Sequence, residues 1–180
     1  MHRQNFLDRL GRYAERHPDE EEAVQRYRAF VEQHPDCFSR SQRSGHVTGS
    51  AWLLDPGGTR VLLTHHRKLG IWVQLGGHVD GNPEVLQEAL REAREESGIA
   101  QIRVLSEDIF DLDIHRIPER PLEPEHWHYD ARFLFQAETP EFRVSEESHD
   151  LCWVPLENLE DFSREASLLR MLRKTPASAL

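Results

Sequence analysis

Residues 76–99, GGHVDGNPEVLQEALREAREESGI, decide how this chain is read. Leu86, Leu90, Ala93 and Ser97 recur at i, i+4, i+7 and i+11, the period of a helix with one buried side. At ~100° per residue, Glu88, Glu92, Glu95 and Glu96 fall within a sector of roughly 100° on the other side. Like charges spaced i,i+4 repel by ~0.2–0.5 kcal/mol per pair. Such a face is either plainly solvated or arranged for a hard cation. Oxygen donors with no thiolate nearby suit Mg2+ or Mn2+ better than zinc.

The flanks of this helix are well marked. Residues 71–75, IWVQL, read as a strand that runs into Gly76-Gly77. Asn82 is the expected N-cap, with Pro83 at N1, where a missing N–H costs nothing. Gly98 stands where a C′ residue adopts the left-handed conformation. The pattern is a strand, a glycine loop, an acidic helix and a glycine stop.

With those residues in register, the segment resembles the Nudix box, G-x5-E-x7-R-E-U-x-E-E-x-G-U, where U is apolar. Gly77 supplies the first glycine, and Arg91, Glu92, Ala93, Glu95, Glu96, Gly98 and Ile99 match the second half. One position departs: Pro83 stands where the pattern has its first glutamate, with Asp80 and Glu84 close by as partial substitutes. The preceding loop is a Gly-Gly-His-x-Asp-Gly variant. The resemblance implies a Nudix-type α/β/α sandwich with a mixed sheet. It implies a divalent-metal-dependent pyrophosphohydrolase cutting a nucleoside diphosphate linked to another moiety. Glu92, Glu95 and Glu96 would carry Mg2+ or Mn2+. Arg91, four residues before Glu95, would orient that carboxylate or serve as a structural ion pair. Gly77 would let backbone approach metal or phosphate. A further acid is expected from the loop 145–150, SEESHD, ahead of Trp153: Glu147 first, Glu146 second, as general base or distant ligand.

The remaining pattern agrees with that fold. Residues 3–16 and 19–33 read as two helices broken at His17-Pro18, with stripes Phe6, Leu7, Leu10, Tyr13 and Ala23, Val24, Tyr27, Phe30, Val31. This hairpin, residues 1–44, is expected to pack on the catalytic domain (45–180) or to form a homodimer. Residues 47–54 and 61–65 flank Asp55-Pro56-Gly57-Gly58 and read as a β-hairpin. Residues 102–105, 109–117, 126–137 and 151–156 read as further strands, and 162–173 as a last helix.

A second constellation lies on the strand HWHYDAR, 126–132. Alternation puts His126, His128, Asp130 and Arg132 on one face and Trp127, Tyr129, Ala131, Phe133 and Phe135 on the other. If residues 109–117 pair antiparallel with His115 opposite His126, Asp113 meets His128 and Asp111 meets Asp130. Three readings are open for that patch: a solvated face, a substrate pocket, or a second metal site in which His-x-His places two imidazoles on a cation. In the pocket reading His115, His126, His128 and Asp130 contact substrate, extended by His78 and Asp80 from the glycine loop.

Composition sets limits. A formal charge of −10 over 180 residues argues against tight nonspecific binding of nucleic-acid polymers. Cys37 and Cys152 lack metal-ligand spacing and read as buried thiols or a bridge. The charged first 30 residues show no apolar signal-peptide core, and no run reaches a membrane span, so a cytoplasmic enzyme is expected. Two alternatives stand beside hydrolysis. One is a Nudix-like sensor that binds without turnover, which has no need of three metal carboxylates. The other is an isomerase acting on isopentenyl diphosphate, which needs a cysteine at its site.

Overall fold

The computed structural model describes residues 3–67, 70–121, 124–144 and 148–176, the side chain of Ser148 aside. The two amphipathic stripes at the start form helices α1 (Gln4–Arg16) and α2 (Glu21–Gln33), joined by a short 3-10 turn at Pro18–Glu20. Strands β1 (Gly45–Leu54), β2 (Arg60–His66) and β3 (Trp72–His78) lead into the acidic helix α3 (Val85–Ser97). Strands β4 (Ile102–Val104), β5 (Asp111–Ile117), β6 (His126–Ala137) and β7 (Ser148–Pro155) follow, then helices α4 (Leu159–Phe162) and α5 (Ala166–Lys174). The sheet has seven strands in the order β4-β6-β1-β3-β2-β7, with β5 beside β4 on the outer edge of β6. β1 and β6 run parallel while the other pairs are antiparallel, so the sheet is mixed. The expected α/β/α sandwich is present.

Two apolar layers explain why the sheet is covered on both faces. Val47, Ala51, Leu53, Tyr129, Ala131, Phe133 and Phe135 face α1, α2 and α3 in one continuous cluster. Trp52, Leu54, Leu63, Leu134 and Val154 face Leu159, Leu168 and Met171 in the other. Alternate residues of each strand thus enter opposite cores. The stripes of the N-terminal hairpin are spent within the chain: Phe30 stacks on Tyr129 with ring centroids 3.9 Å apart, and the Tyr27 hydroxyl donates to the Tyr129 carbonyl at 2.7 Å. Among the described residues, no helix is long and apolar enough to cross a membrane.

Four local expectations change. The hairpin of residues 47–54 and 61–65 closes only at Leu54–Val61; beyond it the strands part, and β3 pairs with both. The turn itself is sound, because the Asp55 carboxylate accepts from the Thr59 and Arg60 N–H groups at 2.8 and 2.9 Å. Helix α3 begins at Val85 with Glu84 at the cap. Asn82 instead forms a turn, its side-chain oxygen accepting from Glu84 N–H at 3.0 Å while its amide donates to Glu88 at 2.6 Å. The last helix is two, separated at Ser163–Glu165 where the backbone is extended, each burying its own apolar residues. Strand β5 pairs with β6 two residues out from the expected register, so His115 faces His128, Asp113 faces Asp130 and Asp111 faces Arg132. Gly98 does end α3 at φ 68°, its N–H donating to the Arg94 carbonyl at 2.8 Å.

That shifted register builds a buried ionic cluster. Arg132, with a side chain 3 % exposed, donates to Asp130 at 2.8 Å and to Asp111 at 3.1 Å. Asp111 is fully buried and also receives Arg170 at 2.8 Å and Lys174 at 2.7 Å from α5. Lys174 continues to Glu20 and the Tyr13 hydroxyl, so it joins α5 to α1 and the turn that follows it. Burial works against the charge on Asp111, but the bond from Arg170 and the fields of Arg132 and Lys174 outweigh it and hold its pKa below the ordinary value. Removing one partner from such a cluster strands the others, at ~3–5 kcal/mol. Asp111→Asn should therefore destabilise the protein by about that amount in urea unfolding at neutral pH. Because the folded pKa is depressed, the contribution is complete above the unfolded value of ~3.9 and is lost as pH falls below it. The gap between wild type and variant should close over that acidic range.

Candidate functional site

The acidic helix lies against the glycine pair on β3. Gly76 N–H donates to a Glu96 carboxylate oxygen at 2.7 Å, and Glu96 is buried. A Cβ on Gly77 would stand 2.7 Å from the Glu92 carboxyl carbon, so glycine there makes the cradle in which that carboxylate rests. Gly76 is constrained by backbone instead: at φ 152° its missing Cβ would meet the Gly49 carbonyl at 2.7 Å. The strand therefore runs straight through both glycines, with one glycine open toward α3 and the other closed against β1.

Arg91 gathers the carboxylates. Its guanidinium donates to Glu88 at 2.7 Å, to Glu92 at 2.6 Å and to Glu95 at 2.6 Å. The bond to Glu88 is the main reason its pKa is raised, with Glu95 and Glu92 adding to it. A single monovalent cation stands among three acids, with Glu96 behind them, and the local charge stays negative. Oxygen-only donors gathered at a backbone-lined cradle fit a divalent ion of the Mg2+ or Mn2+ type. Asp80 and Glu84 do not fill the place of the missing box glutamate. Asp80, at φ 47°, is held by Arg40 at 2.7 and 3.0 Å, and Glu84 faces Asn5 at 3.4 Å. Glu88 joins the cluster instead, tied back to the loop through Asn82. Glu146 and Glu147 lie outside the described residues.

The second constellation sits on the opposite sheet face from α3. Gly49 abuts Val85 and Ala89 of the helix, so its neighbours on β1, His46, Thr48 and Ser50, look the other way. Parallel register aligns His46 with His128 and Thr48 with Asp130, and Thr48 also pairs with His78. The solvated-face reading fails, because His126, Asp130 and Arg132 are all buried. Asp130 is already committed on both oxygens, to Thr48 at 2.9 Å, Ser50 at 2.8 Å and Arg132 at 2.8 Å. Its position makes it a buttress for the strands, not a group offered to substrate.

Five imidazoles pack around that buttress. His46 stands 5.0 Å from His78, 4.9 Å from His126 and 4.9 Å from His128, ring centre to ring centre. His115 stands 5.3 Å from His128. Burial, with the neighbouring imidazoles adding to it, pushes the pKa of His46 down to about 4 and that of His128 to about 2. Both rings are neutral at pH 7. His46 was not singled out in the sequence, although its alternation with Thr48 and Ser50 along an otherwise apolar strand was a visible signal. A separate cavity of about 300 Å3 between α2 and β6, lined by Arg26, Phe30, His34, Trp127 and Tyr129, includes no residue of the acidic helix. Cys37 and Cys152 are free thiols. Cys37 is fully buried in the α1–α2–α3 core, and burial raises the pKa of both thiols, that of Cys37 to about 11.

Comparison with known proteins agrees with this geometry. The family model of the NUDIX domain matches residues 45–174. The chain belongs to the Nudix family. The recognition made from the box holds, and with it the expectation of a Nudix-type pyrophosphohydrolase. A NUDIX-family hydrolase from Clostridium perfringens shares 25% identity, covering 74% of this chain and 97% of its own, at a TM-score of 0.54. A MutT NUDIX hydrolase from Burkholderia pseudomallei shares 24% over 73% and 98%, at 0.55. The NUDIX domain of Shewanella oneidensis NrtR, seen with ADP-ribose, shares 17% over 75% and 88%, at 0.53. No curated protein matches the chain significantly.

The Nudix cradle makes a sharp prediction. Gly77→Ala displaces the end of a flexible side chain, so the fold should persist while the Glu92 carboxylate moves. A shift of this kind costs about 10²-fold in turnover. Gly76→Ala presses on backbone and should lower the melting temperature. Product-release kinetics and thermal melts of the two variants would separate the effects.

Proposed function

We propose that this Nudix domain hydrolyses the diphosphate bond of a nucleoside diphosphate linked to a second moiety, with Glu92, Glu95 and Glu96 as the carboxylates that hold Mg2+ or Mn2+. The convergence of Glu92 and Glu96 on the Gly76–Gly77 cradle supports this reading best. When bound there, a divalent ion screens the phosphate oxygens and lowers the pKa of an attacking water. The protein's own part is positioning and charge. Gly77 allows a close approach to backbone. Glu96 is fixed by Gly76 N–H, and Arg91 holds Glu92 and Glu95 at one spacing. The side chain of Glu95 is 59 % exposed, so it is the acid best placed to meet substrate and water. Phosphoryl transfer asks mainly for this kind of preorganised alignment. Glu147 remains our candidate for the general base.

The attached group is read outside the box. Of the residues expected to contact it, Asp80 stands between β3 and α3 with a side chain 53 % exposed, which makes it the accessible candidate on the α3 side of the sheet. ADP-ribose, the ligand in the NrtR domain, belongs to the chemical class proposed here and is the first compound to test. Two free thiols accord with a reducing compartment, and we place the enzyme in the cytoplasm.

A panel of linked nucleoside diphosphates, assayed with Mg2+ and product chromatography, should give a nucleoside monophosphate and a second monophosphate. Chelation should abolish turnover, and Glu92→Gln or Glu96→Gln should lower kcat by at least about 10²-fold. Binding of the panel without any cleavage would replace this reading with that of a sensor.

A further inference from the structure

We propose that His46, His78 and His128 form a second metal site, separate from the carboxylate helix, that takes a nitrogen-preferring divalent cation of the zinc type. One ligand atom from each of the three rings lies within 4.8 Å of the others. Tetrahedral zinc with Zn–N bonds of ~2.0–2.1 Å needs its nitrogens about 3.3 Å apart. The ring torsion of histidine is broad, which lets the rings turn toward a shared cation. The three ligands come from β1, β3 and β6, which the sheet holds in fixed register, so the site is built on rigid elements.

His46 points to a ligand independently of this spacing. It is 3 % exposed, and neither ring nitrogen has a hydrogen-bond partner among the described residues. The Gln42 carbonyl lies near enough to favour a charged ring slightly but is not in hydrogen-bonding geometry. Burying an imidazole without partners leaves the full desolvation cost of its nitrogens uncompensated. Its rings for neighbours are His78, His126 and His128, so a cation among them satisfies what no protein group does.

The surroundings supply the outer contacts that zinc-binding histidines use. The Nδ1 of His126 faces the Pro124 carbonyl at 2.8 Å, which leaves its Nε2 with a lone pair; that Nε2 lies 3.2 Å from the Nε2 of His128. His126 is therefore the candidate fourth ligand. The donor set discriminates between the two sites. Imidazoles select the zinc end of the divalent series, while the oxygen donors of α3 select Mg2+ or Mn2+. This inference does not rest on hydrolysis by α3, because α3 lies behind the sheet from these rings.

The test uses the full chain without a histidine tag. Dialysis against Zn2+ in excess Mg2+ should leave about one zinc per chain by mass spectrometry. Co2+ in its place should give the intense visible band of a tetrahedral nitrogen site. Both signals should vanish in His46→Ala/His128→Ala and persist in Glu92→Gln/Glu96→Gln, with circular dichroism confirming the fold of each. Absence of retained zinc in the wild type, retention by the folded histidine variant, or loss in the glutamate variant would overturn the site. Should the histidine variant not fold, ring-nitrogen NMR of the wild type answers the same question. Zinc-induced shifts at His46 and His128 support the site, and unchanged resonances refute it.

Discussion

The parallel pairing of β1 with β6 is the constraint on which the other features depend. Ten consecutive residue pairs, from Gly45–Trp127 to Leu54–Gln136, run in phase, so the two strands agree on which side chains face which way. A slip of one residue would send every side chain to the other face. In phase, Gly49 and Ala131 make room for helix packing on one face, while Thr48, Ser50, Asp130 and Arg132 bond to one another on the other. The glycine pair on β3 then lies beside β1 with Gly77 turned to the acidic helix. One alignment thus separates an oxygen-rich face from a nitrogen-rich one.

Much of this was legible in the sequence where local chemistry decides it. The acidic helix, its glycine stop at Gly98 and the alternation of residues 126–135 rest on periods of 3.6 and 2, and the structure follows them. The two N-terminal helices were legible for the same reason. Where long-range pairing decides, local pattern gave a different answer. The turn at Asp55–Gly58 closes as expected, yet the strands it joins diverge because β3, still distant in sequence, offers both of them partners. The β5–β6 register was set two residues off because alternation determines the face of a residue but not its opposite number. Arg132 meeting Asp111 is the electrostatic reason for the observed register.

The candidate site divides along the same line. Glu92, Glu95, Glu96 and Arg91 form a local set, adjacent on one helix, and the box pattern names them. The clustering of His46, His78, His115, His126 and His128 draws on four strands and could be seen only after the sheet was assembled. Asn82 illustrates a smaller lesson. It does shape the entry to α3, but by bonding to Glu84 and Glu88 two and six residues ahead, not as the cap itself.

The edge strand β5 has one more property. Its outward backbone at Leu112 would be an open docking line for a strand from another molecule. The Arg170 side chain donates to the Leu112 carbonyl at 2.7 Å and to the neighbouring Asp113 carboxylate at 2.9 Å. Helix α5 therefore occupies the carbonyl at the middle of that edge. The contact that docks α5 also guards the sheet against edge-to-edge aggregation, so release of α5 would open the strand to assembly.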